Sequence, residues 1–281
     1  MSLGVFLMVL GAALVHATWN ALVKADGDRL TLIGVMAATQ FIISVALLPF
    51  VPVPMGAAWP FVLANTVLTT GYTLLLERSY RHGDLSLVYP LARGISPLIV
   101  ATVTVVFLGE RLTWSSQLAV LIIGLAVTSL ALTRGASGLR DLRLVGLALT
   151  TGSFIGAYTI VDGIGARAAG SASGYMVWIS LLSSTVITGW AGVMRRQAIA
   201  PVSRRTLGAG IASALLSYGS SWMVIVALTL APIPMVSALR ETGIVFAVVI
   251  GVVFLHERLS LARLALIAAT LVGTTILKLS R

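Results

Sequence analysis

The chain of 281 residues contains no cysteine. Disulfides, thiolate metal sites and a cysteine nucleophile are therefore excluded. Charge is scarce as well: Asp, Glu, Lys and Arg make up 10% of the residues, against roughly 25% in a soluble domain. Acid is scarcer still, with nine Asp and Glu facing nineteen Lys and Arg, a formal charge of +10. The three histidines stand apart from one another, and neither His-Glu-x-x-His nor Gly-x-Ser-x-Gly occurs. No metal centre, cofactor site or hydrolytic constellation is thus implied. The basic excess invites comparison with nucleic-acid binders. Its residues, however, sit in short pairs between apolar segments, and no basic helix with interleaved aromatics is there to grip phosphates. Such placement fits loops facing anionic lipid headgroups, so the expected partners are a bilayer and a small molecule, not nucleic acid.

What the chain does have is apolar sequence: 58% hydrophobic residues and a mean hydropathy of +1.02. Stretches of roughly 17–25 residues, long enough to span hydrocarbon as helices, run over 3–23, 31–51, 59–77, 85–107, 114–133, 143–162, 173–194, 206–228, 232–254 and 261–279. The expected fold class is an all-α polytopic membrane protein of ten spans. Charged residues, Gly or Pro punctuate the runs, and no interruption can hold a soluble domain. The N-terminal run lacks the basic n-region of a signal peptide, so span 1 reads as a retained helix. Thirteen of the seventeen basic residues outside the spans fall in the loops after spans 1, 3, 5, 7 and 9. By the positive-inside rule that side is cytoplasmic and both termini face out.

An internal repeat is visible. Leu91-Ala-Arg93 precedes Phe107-Leu-Gly-Glu-Arg-Leu-Thr113, and Ala238-Leu-Arg240 precedes Phe254-Leu-His-Glu-Arg-Leu-Ser260. At an offset of 147, Arg93 falls on Arg240 and Glu110-Arg111-Leu112 on Glu257-Arg258-Leu259. Two units follow, 1–137 and 138–281, each of five spans. An odd number inserts the second copy upside down, and inverted repeats are the architecture of alternating-access transporters. With the Ala-Thr-Trp-Asn-Ala-Leu-Val-Lys segment at 17–24, these features resemble the EamA-like branch of the drug/metabolite transporter superfamily. His256, where the family has Gly, is a departure. The resemblance implies ten helices around a central cavity lined mainly by spans 1, 3, 4, 6, 8 and 9. It further implies export or exchange of amino acids and related metabolites across a bacterial cytoplasmic (inner) membrane.

Several residues could carry chemistry. Arg93 and Arg240 lie inside spans 4 and 9, where a guanidinium costs about 2.5–3.5 kcal/mol and must face protein or water. Each could clamp a carboxylate or phosphate, or serve structure by capping carbonyls or snorkelling. Glu241 has three readings: a proton-coupling carboxylate, since loss of water disfavours its charged form; a seat for a substrate ammonium; or a neutraliser of Arg93 or Arg240. The first half carries Gly94 at the equivalent place, so Glu241 breaks the repeat. His16, Trp19 and Asn20 share one face of span 1 by i, i+3 and i, i+4 spacing, as a cavity lining or a structural His–Asn bond beside an interfacial Trp. Tyr72, Tyr89, Tyr158 and Trp222 are binding candidates or packing aromatics. Glu77 and Arg81 form a favourable i, i+4 order. Glu110-Arg111 and Glu257-Arg258 begin a following helix, where a carboxylate suits the positive end of the dipole; they read as turn and packing elements, with a gate salt bridge as a further role. Gly152-xxx-Gly156 lets a neighbouring helix approach span 6 closely. Pro90, Pro97, Pro232 and Pro234 can break or bend spans 4 and 9 at matching depths.

Asp26, Asp28, Asp84, Asp141 and Asp162 read as loop or helix-end residues, so no paired carboxylates support an intramembrane enzyme. The competing classes are a passive channel-like facilitator and, behind it, such an enzyme. A transporter is the favoured expectation.

Overall fold

The computed structural model describes residues 1–26, 28–82, 85–132, 142–195, 202–255 and 260–280, with the side chains of 25, 29, 76–82, 85–89, 130–132, 142, 195 and 254–255 left aside. These residues form helices α1 (Leu3–Ala25), α2 (Arg29–Leu47), α3 (Trp59–His82), α4 (Leu85–Phe107), α5 (Trp114–Leu132), α6 (Leu142–Ala168), α7 (Ala172–Arg195), α8 (Arg204–Leu230), α9 (Ile233–Arg240), α10 (Gly243–Leu255) and α11 (Leu261–Leu279). Short 3-10 turns at Leu48–Phe50 and Gly56–Ala58 complete the set, and the described residues include no strand.

The fold class expected from hydropathy holds at this level: eight helical stretches are long and apolar enough to cross a membrane. Of the other two expected spans, α5 is apolar over the shorter run Trp114–Ser129. The remaining one, in α3, interleaves its apolar residues with Asn65, Thr66, Thr69, Thr70 and Thr73. Large apolar side chains such as Ile42 (65% exposed), Val67 (69%) and Leu125 (59%) stand on the outside of the bundle. In water they would form an aggregating surface; in hydrocarbon they cost nothing.

Helix starts are set locally. Ser2, Asp28, Ser203 and Ser260 each accept a bond from the backbone N–H three residues on, at 3.3, 3.1, 3.0 and 3.3 Å, satisfying donors a helix leaves open. The prolines act differently from expectation. Helix α4 continues through Pro90 and Pro97, held by packing against α5, α6 and α9. Pro232 and Pro234 open α9, where a missing N–H removes no helical bond. Span 9 breaks instead at Glu241–Thr242, where i→i+3 bonds tighten the chain: Glu241 N–H to Ala238 O at 3.0 Å and Thr242 N–H to Leu239 O at 3.1 Å.

Small residues set the approaches around this break. A Cβ on Gly152 would lie 2.8 Å from the Ala92 carbonyl, and one on Gly156 would lie 3.1 Å from Ile99 Cγ2. The Gly-xxx-Gly face of α6 therefore receives α4 next to Arg93. On the other side of α4, a Cβ on Gly94 would come within 2.5 Å of the Thr128 backbone nitrogen in α5. Gly243, opening α10, faces the Ala13 carbonyl of α1. The buried centre is apolar and continuous, with Val9, Val62, Val100, Tyr175, Leu228, Ile233 and Leu239 at its heart.

Candidate functional site

Arg93 and Glu241 meet. The Arg93 Nε donates to Glu241 Oε2 at 3.0 Å, and both side chains are less than a tenth exposed. The break in span 9 makes this possible: Glu241 sits at the end of α9 in a turn, so its side chain reaches α4. Of the three sequence readings of Glu241, the structure carries neutralisation of an arginine. Its partner is the arginine of the other half, since neighbours on one helix do not face each other.

Arg240 differs from its repeat mate. It is only partly buried, and among the described residues it forms no hydrogen bond and no ion pair. Its charge acts on Glu241, on His16 of α1 and on Asp162 of α6. Arg93 acts on His16 as well. Thus α1, α4, α6 and α9 bring His16, Arg93, Asp162, Arg240 and Glu241 into one polar region. His16 and Trp19 pack edge to face, with ring centroids 5.0 Å apart. The Trp19 indole N–H is buried without an acceptor among the described residues. The Asn20 amide turns back to the His16 carbonyl of its own helix at 2.8 Å, so the expected His–Asn bond runs through backbone.

Tyr72 of α3 and Tyr158 of α6 pair at 5.9 Å between ring centroids, two expected site residues brought together. Trp222 stands apart: it is 42% exposed, and its indole N–H donates to Ser173 Oγ at 2.9 Å. The side chains of Tyr89, Glu77 and Arg81, and the Glu257-Arg258 pair with His256, lie outside the described residues.

Asp162 corrects the sequence reading. It belongs to the interior of α6, which extends six residues past the expected end at 162, and it is 8% exposed. Asn65 Nδ2 donates to its Oδ1 at 2.6 Å, and the Tyr175 hydroxyl donates to the same oxygen at 3.2 Å. Thr69 Oγ1 in turn donates to Asn65 Oδ1 at 3.2 Å, which fixes the amide's orientation. The misplaced helix end hid this residue. The available signal was the Asn and Thr stripe of span 3, a polar face that needs a partner in a membrane.

Glu110 sits at a turn and in a salt bridge, but its carboxylate caps a different helix from the one expected. Gly109 takes φ +67°, a left-handed conformation suited to glycine. The Glu110 N–H then closes on Thr104 O at 3.0 Å, satisfying a carbonyl at the end of α4. The carboxylate serves α9 and not the helix after it: Oε2 accepts from Ile233 N–H at 3.0 Å, in the first turn of α9. Its Oε1 binds Arg167 Nη1 at 2.8 Å. Arg167 also donates from Nε to Leu228 O and from Nη2 to Ala231 O, each at 2.9 Å. One cluster therefore ties the ends of α4, α6 and α8 to the start of α9.

No family model and no curated protein matches the chain. Among solved structures, a crystal structure of a protein superposes with a TM-score of 0.77 at 15% identity, over 98% of this chain and 97% of that chain. The whole helical arrangement is thus one that an experimentally solved chain also adopts.

Proposed function

We propose that this protein is a membrane transporter of small carboxylated metabolites, amino acids and their relatives being the first candidates, working by alternating access between two inverted five-span units. The observation that carries the reading is the Arg240 guanidinium, a charge within an apolar stretch with no partner among the described residues. A guanidinium in that setting is costly unless water or an anion completes it, and its fork matches a carboxylate. The Trp19 N–H is a second donor without an acceptor, on the helix whose His16 feels both arginines. Arg93 is already matched by Glu241, which leaves Arg240 as the seat for the substrate's negative end.

The packing supports the inverted repeat. Exchanging each span with its mate five further on turns one set of helix contacts into another: α1 on α8 becomes α6 on α3, and α4 on α6 becomes α9 and α10 on α1. The pairs α2 on α7, α5 on α11 and α4 on α9 map onto themselves. Ten spans, an EamA-like relationship and export or exchange as the direction all belong to this proposal.

A melting screen of the purified chain against amino acids and related acids identifies ligands, because a compound bound only by the folded state raises the transition by mass action. Uptake by reconstituted vesicles then tests the seat. Arg240→Ala is expected to weaken a carboxylated ligand at least tenfold more than its amide analogue. Equal loss for both would leave Arg240 a structural cation and remove the argument.

A further inference from the structure

Two carboxylates lie buried within apolar helical stretches among the described residues, and their surroundings differ. Glu241 is ion-paired. Asp162 has no cation within ion-pair distance among the described residues, and both of its hydrogen-bond donors are neutral. Both donors also end on one oxygen, Oδ1, and Oδ2 has no hydrogen-bond partner among the described residues. A metal cation would need several acceptors aimed at one point. Here the Asn65 amide and the Tyr175 hydroxyl aim hydrogens at the carboxylate, an arrangement for an anion that takes up a proton. The cluster also holds a second acceptor: Tyr175 Oη lies 3.5 Å from the Val161 carbonyl. When Oδ2 gains a proton and Oδ1 becomes a weaker acceptor, the hydroxyl can turn to Val161 without losing its bond.

The charged and titratable groups that face Asp162 can be named by element. From α7 comes Tyr175, and from α9 comes Arg240, whose charge acts on the carboxylate from beyond bonding distance. From α3 come only the neutral Asn65 and Thr69. The cation of α4, Arg93, is ion-paired with Glu241. Arg240 therefore stands between two clients, Asp162 and whatever anion it binds.

We propose that Asp162 is a proton-binding site of this protein, coupled through Arg240 to the binding of a carboxylated ligand. A carboxylate arriving on Arg240 cancels the charge that favours ionised Asp162, and a proton binds Oδ2 as compensation. Protonation of Asp162 in turn leaves Arg240 free for the ligand, so the two events favour each other as linkage requires. One proton enters with one negative charge. The coupling rests on the proposed function; the proton site does not.

The test uses the purified full chain in nanodiscs and no ligand other than the proton. Infrared difference spectra between about pH 5 and pH 9 are expected to contain the carbonyl stretch of a protonated carboxyl shielded from water. Asp162→Asn removes that band, and Glu241→Gln leaves it. Arg240→Gln makes the band persist to higher pH, because a cation that favours ionisation is gone. Should Asp162→Asn not fold, Tyr175→Phe gives the same readout by deleting a donor to the ionised form, and the band again persists to higher pH. A wild-type spectrum without such a band, or a band lost in Glu241→Gln and retained in Asp162→Asn, overturns the proton site. A band indifferent to Arg240→Gln overturns the coupling. If the band responds while transport of acids and amides is equally insensitive to Arg240, the proton site stands and the transport reading fails.

Discussion

Removing the charge of Glu241 is expected to cost more than removing that of Arg93, although the two form one ion pair. At about 4 Å between charge centres and an effective dielectric near 20, the pair is worth about 4 kcal/mol of direct attraction. Breaking a buried pair from one side costs about 3–5 kcal/mol, because the surviving charge keeps its desolvation penalty. In Arg93→Gln the surviving Glu241 still feels Arg240, so the penalty falls at the low end. In Glu241→Gln both arginines survive with no acid between them, and the penalty falls at the high end, a melting point lowered on the order of 10 °C. The double variant Arg93→Gln, Glu241→Gln places two neutral amides face to face. It should lie well above the sum of the singles, with a coupling of about 2–3 kcal/mol. Thermal unfolding in detergent, followed by tryptophan fluorescence, measures all three. Additive singles, or a larger loss in Arg93→Gln than in Glu241→Gln, would refute the reasoning.

Other perturbations discriminate packing from function. Gly94→Ala should destabilise by about 1–3 kcal/mol, since its methyl meets the backbone of α5. In contrast Gly243→Ala, at 3.3 Å from the Ala13 carbonyl, should cost less in the same melt. Glu110→Ala strips an acceptor from Ile233 N–H and from Arg167 together, and a loss of about 1–3 kcal/mol is expected. Adding Arg167→Ala to it should cost less than Arg167→Ala costs alone, because the ion pair is already gone, whereas full additivity would show the cluster does not act as a unit. Trp19→Phe removes an N–H that bonds to nothing among the described residues. It should therefore move the melting point little and ligand affinity severalfold; the opposite pattern would make Trp19 a packing residue only.

The helices were legible because hydropathy and helix-start residues are local properties. Each of the ten apolar stretches is helical over most of its length, with a 3-10 turn at Leu48–Phe50 and a break at Glu241–Thr242, and Ser2, Asp28, Ser203 and Ser260 start their helices as capping chemistry directs. The site was legible only in part. Arg93, Arg240, Glu241 and His16 could be named because charge and polarity inside apolar runs are visible one residue at a time. Which arginine Glu241 would neutralise was not visible, since that depends on a break in span 9 displaced from its prolines. Asp162 was missed for a related reason: helix ends are the least certain feature of an apolar run, and a shift of six residues carried a carboxylate from the presumed edge to the interior.

The mismatch of Gly94 with Glu241 shows how such non-local facts combine. Position 94 lies against α5, where the backbones of Gly124 and Thr128 leave no room for a side chain. Its mate at 241 lies in a turn between α9 and α10, which frees the backbone from that constraint and lets a carboxylate project toward α4. The same substitution therefore does two things. It loosens one copy of the repeat at the point where the other is clamped, and it engages Arg93 while leaving Arg240 without a partner among the described residues. Two arginines that begin as equivalents thereby acquire different surroundings. Placing an acid at 94 cannot recreate the arrangement in the first half, because packing and not charge forbids it.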